Sequence, residues 1–522
     1  MKNNTFKTLT IGLATSFALV AVAFGGFKKP VQVKAIGEKT RVIVNNTDVY
    51  EFDDPIWGWV EAATRANSTD EVKLVLGHDF EHDFQLTLNP NKKLIIDLNG
   101  HYIKRARNKR INDGSVFLVE SNATLTVMDS NPDSVGYDGV PGGVVTGGAS
   151  GNSAGGIHIE ENGHVIWQGG TLYNCTTDYH GGGFYLEGNS ESTSLEMTGG
   201  RIYACQTVES SDKCHGGAIY ISNGTVNIHD VTFDSCFSED YGGAIYADNG
   251  YLNVYNSLFS SNYAIDYGGA VYLAGDALIY FKDCIFASNK CDDDGGAIYI
   301  NNNPSQAKAA QFSNLGYPAT IFDGCTFRNN NAADTGGAVF IDDDNVALIG
   351  VTIQNNTART AGGGVWVDSL SDITFKGKCV VKDNICSSDS AFRNLTLQKG
   401  LASQAYVYSA GLYAGSYIGI NSSSGSDDVI LALKMSKYQM QYFHADSGSL
   451  IMTDEHEEVA PMVVTASLFG NGYFWVATGL GSAGIIAFVV VLLYRKKKLA
   501  LAKANGNSEE LNNENIKEEE DE

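Results

Sequence analysis

Two files of side chains in this sequence could do chemistry. In the first, aspartates recur just ahead of a pair of glycines: Asp178, Asp240, Asp266, Asp293, Asp294 and Asp334. Carboxylates stacked about 5 Å apart repel by roughly 1 kcal/mol or more per neighbouring pair at a surface dielectric. Calcium, which takes several oxygen ligands, would relieve that repulsion, and the calcium candidates are Asp240, Asp266, Asp293, Asp294 and Asp334. The competing reading is structural, with each aspartate accepting backbone N–H groups in an Asx-type turn. The second file is aromatic and follows the same glycines: His158, Tyr185, Tyr220, Tyr246, Tyr272, Tyr299, Phe340 and Trp366. Exposed aromatics stack on sugar rings or anchor a protein partner. Aromatics on one face of neighbouring strands also stabilise a sheet by touching one another, and the two roles are compatible.

Other candidates are weaker. His78 and His82 stand four apart in "HDFEHDF" but lack a third ligand, so zinc is not expected. The basic run "KRARNKR" (Lys104 to Arg110) could meet an anionic polymer, although a solvated loop is the better explanation. The "DDD" tripeptides beginning at Asp292 and Asp342 fall in turns or at strand edges. No residue is assigned a catalytic role, and no cofactor other than calcium is expected.

Both files are set by a repeat. The residue after the glycine pair falls at Gly156, Gly183, Ala218, Ala244, Ala270, Ala297, Ala338 and Gly364, mostly about 26 residues apart. Each unit also carries an apolar residue followed three positions later by Cys or Asn: "LYNC", "IYAC", "FDSC", "FSSN", "FASN", "FRNN" and "IQNN", with "VKDN" at Val381 suggesting a further coil. Three short alternating segments per unit cannot bury a face alone, so equivalent segments must stack on their neighbours. Three strands and three turns per unit give a single-stranded, right-handed parallel β-helix with three sheets. Ten or so coils would make a rod of roughly 50 Å. The glycines then mark a tight corner, where positive φ and close stacking of backbones are required.

Alternation assigns the interior. Ile157, Phe184, Ile219, Ile245, Val271, Ile298, Val339 and Val365 should point inward, and so should Ile159, Leu186, Ile221, Ala247, Leu273, Ile300, Ile341 and Val367. The recurring Asn should form a ladder of stacked side-chain amides at a bend. Cys175, Cys205 and Cys236 occupy that slot in three coils, while Cys284, Cys325 and Cys379 share another register. The nine cysteines are therefore expected as buried thiols, with a Cys284–Cys325 bridge as the main alternative.

The repeats "GGAIY" at Gly216, Gly242 and Gly295, together with "FSSN", "FASN" and "FRNN", resemble the GGA(I/L/V) and FxxN motifs of chlamydial polymorphic membrane proteins. More broadly, the region from about 155 to 384 resembles the pectin lyase-like β-helix superfamily. The resemblance implies a surface β-helix, often adhesive. That superfamily also includes polysaccharide lyases and glycoside hydrolases, which need a unique basic residue with calcium carboxylates or two or three convergent acids. Here the acids recur periodically, which favours a binding or adhesion protein over an enzyme or a passive envelope spacer.

The remaining segments speak to location. Residues 1–35 carry Lys2 and Lys7 ahead of an apolar stretch and read as a signal peptide. Residues 36–140 form an N-terminal cap with the first coils, including a short helix in "WGWVEAATRA", and 141–395 hold the β-helix repeats, interrupted by a polar loop, "NNNPSQAKAAQFSNLGYPAT". Residues 396–470 form a β-rich C-terminal cap and stalk. Residues 473–494 are 22 uncharged residues followed at once by Arg495, Lys496, Lys497 and Lys498, which suits a transmembrane helix with its basic end in the cytoplasm. Residues 495–522 are a cytoplasmic acidic tail. Where the resembling family ends in an outer-membrane barrel, this chain ends in that single span, pointing to a Gram-positive-like cell membrane. The partners expected are an extracellular glycan or surface protein and the membrane itself. The net charge of −24 over 522 residues argues against nucleic acid.

Overall fold

In the computed structural model the described residues are 38–106, 109–188, 190–209, 214–313, 318–400, 403–423, 429–453 and 458–465. The expected signal peptide, membrane span and acidic tail lie outside them. No helix among the described residues is long and apolar enough to cross a membrane.

The chain winds into a parallel β-solenoid of about 13 turns, more than the ten or so expected. Three long ladders run along it. The first contains Ile157–Ile159, Phe184–Leu186, Ile219–Ile221 and their equivalents up to Val365–Val367 and Leu395–Leu397. The second contains Thr124–Met128, His164–Trp167, Ser194–Met197 and onward to Asp372–Gly377 and Tyr406–Leu412. The third contains Thr171–Tyr173, Arg201–Tyr203, Leu258–Ser260 and so on, ending at Phe443–Ala445. A fourth ladder, absent from the three-sheet expectation, is built of nine two-residue strands from Ala149–Ser150 to Ile385–Cys386. Strands this short leave no periodic pattern to read in a sequence.

Every inward position named from alternation has no exposed surface. The third ladder adds a phenylalanine column: Phe233, Phe259, Phe286 and Phe327 stack with ring centroids 4.7 Å apart.

The corners explain the recurring glycines and asparagines. In "YGGAIY", Gly242 has φ +64, and a Cβ there would lie 2.3 Å from the Ile245 carbonyl oxygen. Gly243 has an ordinary φ, but its Cβ would meet the Gly269 carbonyl of the next coil at 2.2 Å. The first glycine thus serves the turn, and the second serves the approach of one coil to the next.

At the opposite bend, Asn262, Asn289, Asn330, Asn356 and Asn384 form the amide ladder. Each Nδ2 donates to the Oδ1 of the next rung at 2.9–3.1 Å and to a carbonyl of the preceding coil. The ladder ends where Asn394 donates its Nδ2 to Asp446 Oδ1 at 2.7 Å. The residue before each ladder position is left-handed, from Asn174 (φ 47) to Asp383 (φ 57). Among non-glycine residues, short polar side chains tolerate that conformation best.

All nine cysteines are buried and free, so the alternative of a Cys284–Cys325 bridge is not realised. The thiols imitate the amides: Cys205 and Cys236 donate to the Leu172 and Ile202 carbonyls of the preceding coil, each at 3.7 Å.

The ends close the core differently. Helix α1 (Pro55–Arg65) starts at Asp54, whose Oδ1 accepts the Ile56 amide at 2.9 Å, with Pro55 in the first turn. It lays Trp59 and Ala62 over the first coils, and the Trp59 ring meets Phe117 edge-on at 6.1 Å. At the other end Val429–Ser436, Ser449–Met452 and Val459–Thr465 form an antiparallel sheet. The insertion read as a polar loop contains a second helix, α2 (Gln306–Ser313). It is tied down by Lys308, which donates to the Asp276 carbonyl at 2.7 Å.

Two measurements check this architecture. Asn330→Ala removes a fully buried amide that makes four cross-coil bonds, and is expected to cost about 3 kcal/mol of unfolding free energy in denaturant titration. Ellman's reagent should titrate almost no thiol in the native protein and all nine after unfolding, with no prior reduction.

Candidate functional site

The first ladder places the expected aromatics in one line. His158, Tyr185, Tyr220, Tyr246, Tyr272, Tyr299, Phe340 and Trp366 are direct partners in successive rungs. Between Tyr220 and Phe340 the ring planes lie within 5° of parallel, at 4.7–5.2 Å. The file tilts toward its ends, where His158 meets Tyr185 edge-on at 5.2 Å and Phe340 meets Trp366 at 6.3 Å.

Such stacking has a chemical consequence. Rings at this spacing use their faces on each other, so what they offer outward is edges and hydroxyls. Tyr272 and Tyr299 are only 8% exposed.

A second file, which the sequence reading missed, closes the wall on one side. His180, His215, Tyr241 and Tyr267 immediately precede the glycine pair and interleave with the first file. His180 stacks on Tyr220 at 4.3 Å, His215 on Tyr246 at 4.6 Å and Tyr241 on Tyr272 at 4.9 Å. The signal was present in "HGG" and "YGG", but only the coil winding brings the residue before the glycines beside the rung that follows. Burial and the neighbouring His180 push the His215 imidazole down to about 3, so it is neutral in the wall.

On the other side stand polar groups. Tyr299 donates its hydroxyl to Asp342 Oδ2 at 2.9 Å, and Asn301 donates to the same oxygen at 3.3 Å. At the start of the file His158 pairs with Glu187 at 2.7 Å. Burial raises the Tyr220, Tyr246, Tyr272 and Tyr299 phenols well above the ordinary range, so all stay protonated.

The acidic file is partnered mostly across coils. Asp240 accepts the Cys214 amide at 2.8 Å, and Asp294 accepts the Thr335 amide at 2.8 Å. Asp334 meets Arg359 at 3.2 Å and the Thr360 hydroxyl at 2.5 Å, while Asp178 pairs with Arg110. Asp266 continues the line, its amide bonded to the Asp240 carbonyl at 3.0 Å. The backbone bonds accepted by Asp240 and Asp294 therefore come from neighbouring coils rather than from local Asx turns. Only Asp293, Asp294 and Asp334 bring oxygens within 4.8 Å of one another, the one such group of acids among the described residues. Burial is the main cause that lifts the Asp294 carboxyl to about 6, with Asp293 and Asp334 adding to it.

Residues 216–380 match the family model of the right-handed beta helix region. The match spans just under a third of the chain. No curated protein and no solved structure matches the chain at a significant level. The solenoid is thus a right-handed β-helix, and its chemistry has to be argued from its own side chains.

The remaining sequence candidates are dispersed in this β-helix. His82 is buried in the third ladder, with Nδ1 2.6 Å from the Phe84 carbonyl, and burial lowers it to about 4. Of the run Lys104 to Arg110, Lys104 and Arg105 belong to the strand Tyr102–Arg105 rather than to a loop. Arg105 points inward and bonds the Asp113 and Ser115 carbonyls, while Lys104 reaches Glu81 at 3.4 Å. Of the "DDD" residues, Asp292 is held by Lys290 at 2.7 Å and by Tyr263. Asp344, by contrast, is buried at the corner after the first ladder, which raises it to about 7.

The raised carboxyls make stability depend on pH. Their folded values, about 6 for Asp294 and about 7 for Asp344, exceed the unfolded value of 3.8. Their contribution is therefore complete below pH 4 and is lost as pH rises through 6 to 7. Asp294→Asn should raise the Tm above that of the wild type at pH 7.5, and the difference should vanish near pH 4 in thermal melts.

Proposed function

We propose that the chain is a non-catalytic binding protein of a cell surface. In this reading residues 473–494 anchor a β-helical rod on the outside of the membrane. The wall of the first ladder engages an extended glycan or a surface protein. The resemblance of the glycine and FxxN repeats to those of surface adhesins supports the same role.

The observation that carries the proposal is the continuous wall from His158 to Trp366, flanked by Asp342, Asn301 and Glu187. Tyrosine hydroxyls repeated from Tyr185 to Tyr299 at about the 4.8 Å strand spacing suit a ligand that is itself a repeating polymer. Because the ring faces are engaged, recognition runs through edges and hydroxyls rather than through flat stacking of sugars.

A second reading draws on one specific feature, the group of Asp293, Asp294 and Asp334 beside this wall. A carboxyl lifted to about 6 with two further carboxyls beside it is the kind of group a general acid in a glycoside hydrolase requires. The same three residues are where calcium would sit, joining carboxylates of two successive coils.

A glycan and surface-protein binding screen separates these readings. In the triple variant Tyr220→Phe, Tyr246→Phe, Tyr272→Phe the stack is kept and only hydroxyls are lost. Binding along the wall should weaken about ten-fold or more with the Tm within a degree or two of the wild type. Turnover of any bound glycan, with or without calcium, would replace the binding role by the hydrolase. An empty screen would leave a structural spacer.

A further inference from the structure

A groove of about 480 Å³ opens where the repeat gives way to the C-terminal coils. Its floor is the outer face of the third ladder, with Thr352 and Gln354 on one rung and Val380 and Lys382 on the next. Lys378 enters from the turn before the second of these rungs. Tyr413 stands over the edge from the loop that joins Tyr406–Leu412 to Tyr417–Ser422.

Three features set this groove apart from the aromatic wall. First, Tyr413 is 56% exposed and no other ring stacks on it among the described residues, so its face is open where those of the wall tyrosines are closed. Second, the groove is cationic in a chain of net charge −24. No carboxylate lies within ion-pair distance of Lys378 among the described residues, and Lys382 has only the exposed Asp383 at 3.6 Å. Third, glycines keep it open. Gly415 has φ +92, and a Cβ there would meet Lys378 Cε at 2.9 Å, so the lysine stem lies against bare backbone. Gly350, with φ +63, has nothing closer than 4.0 Å above its missing side chain.

We propose that this groove is a saccharide subsite for a sugar ring bearing an anionic substituent. The apolar face of the ring lies on Tyr413. Its carboxylate or sulfate sits between the Lys378 and Lys382 ammonium groups. Thr352 and the free Oε1 of Gln354 hydrogen-bond ring hydroxyls, the Gln354 amide nitrogen being committed to Asp383 at 3.3 Å. The volume suits a few sugar units rather than a long polymer, within the usual range of small-molecule sites. The inference rests on the glycan arm of the proposed function and adds a site and a ligand charge that the wall does not supply.

The test titrates the full chain calorimetrically with a sulfated heparin hexasaccharide, an oligogalacturonate hexamer and neutral cellohexaose, at low and at moderate salt. At least one acidic probe should bind and the neutral one should not, with affinity falling as salt rises. Sulfate and carboxylate arms tell the two anions apart. Tyr413→Ser and the double variant Lys378→Gln, Lys382→Gln should each weaken binding about ten-fold or more, while Tyr438→Ser, an exposed tyrosine outside the groove, changes nothing. No acidic probe binding, or equal binding by the groove variants, overturns the site. If binding survives the groove variants but falls in the triple Tyr→Phe variant of the wall, the subsite is refuted and the wall stands.

Discussion

Everything in this molecule depends on how closely one coil can lie upon the next. Most strands have only two to five residues, too short to be stable alone, and hold only if each rung is bonded above and below. That spacing is enforced at two corners. At one, the second glycine of each pair stands within reach of the next coil's carbonyl, as Gly243 does with Gly269, so any side chain would wedge the coils apart. At the other, buried amides from Asn262 to Asn384 bind the coil before and the rung after. A slip by one residue would bury the outward tyrosines and expose the inward isoleucines.

Once the register is held, any recurring slot becomes a line, and each line has its own energetics. The phenylalanine column of the third ladder is dry packing. The tyrosine line trades ring faces for mutual contact and keeps edges and hydroxyls for the outside. The cysteine line shows the tolerance of a slot: Cys205 and Cys236 bond the preceding coil through sulfur where Asn262 does so through an amide. The acidic line is the least comfortable. It persists because most of its members borrow a donor from another coil, the Cys214 amide for Asp240, the Thr335 amide for Asp294 and Arg359 for Asp334.

Regularity also divides the functional surface. The repeats make a long wall of outward side chains suited to repeating ligands, whereas the groove beside Tyr413 opens where the repeat fails. The loop carrying Tyr413 and Gly415 has no counterpart in the middle coils. It turns one side of a plain ladder into a groove, with an open ring face and two cations. The fold supplies the platform, and the departures from it supply selectivity.

Much of the architecture was legible in the residues themselves. The interval of about 26, the glycine pairs and the F-x-x-N series are local consequences of a coil that must close on itself, so they recur in every coil. They determined the solenoid, its inward residues, the amide ladder and the line of outward aromatics. Three features depended on which segments meet in space. The fourth ladder is too short to leave a pattern. The second aromatic file needs the winding of the chain to bring His215 against Tyr246. The groove joins Lys378 and Lys382 to a tyrosine some thirty residues further along the chain. A periodic sequence records what each coil asks of its neighbours, while contacts between non-equivalent positions are set by the geometry of the closed turn, and only the tertiary structure holds that.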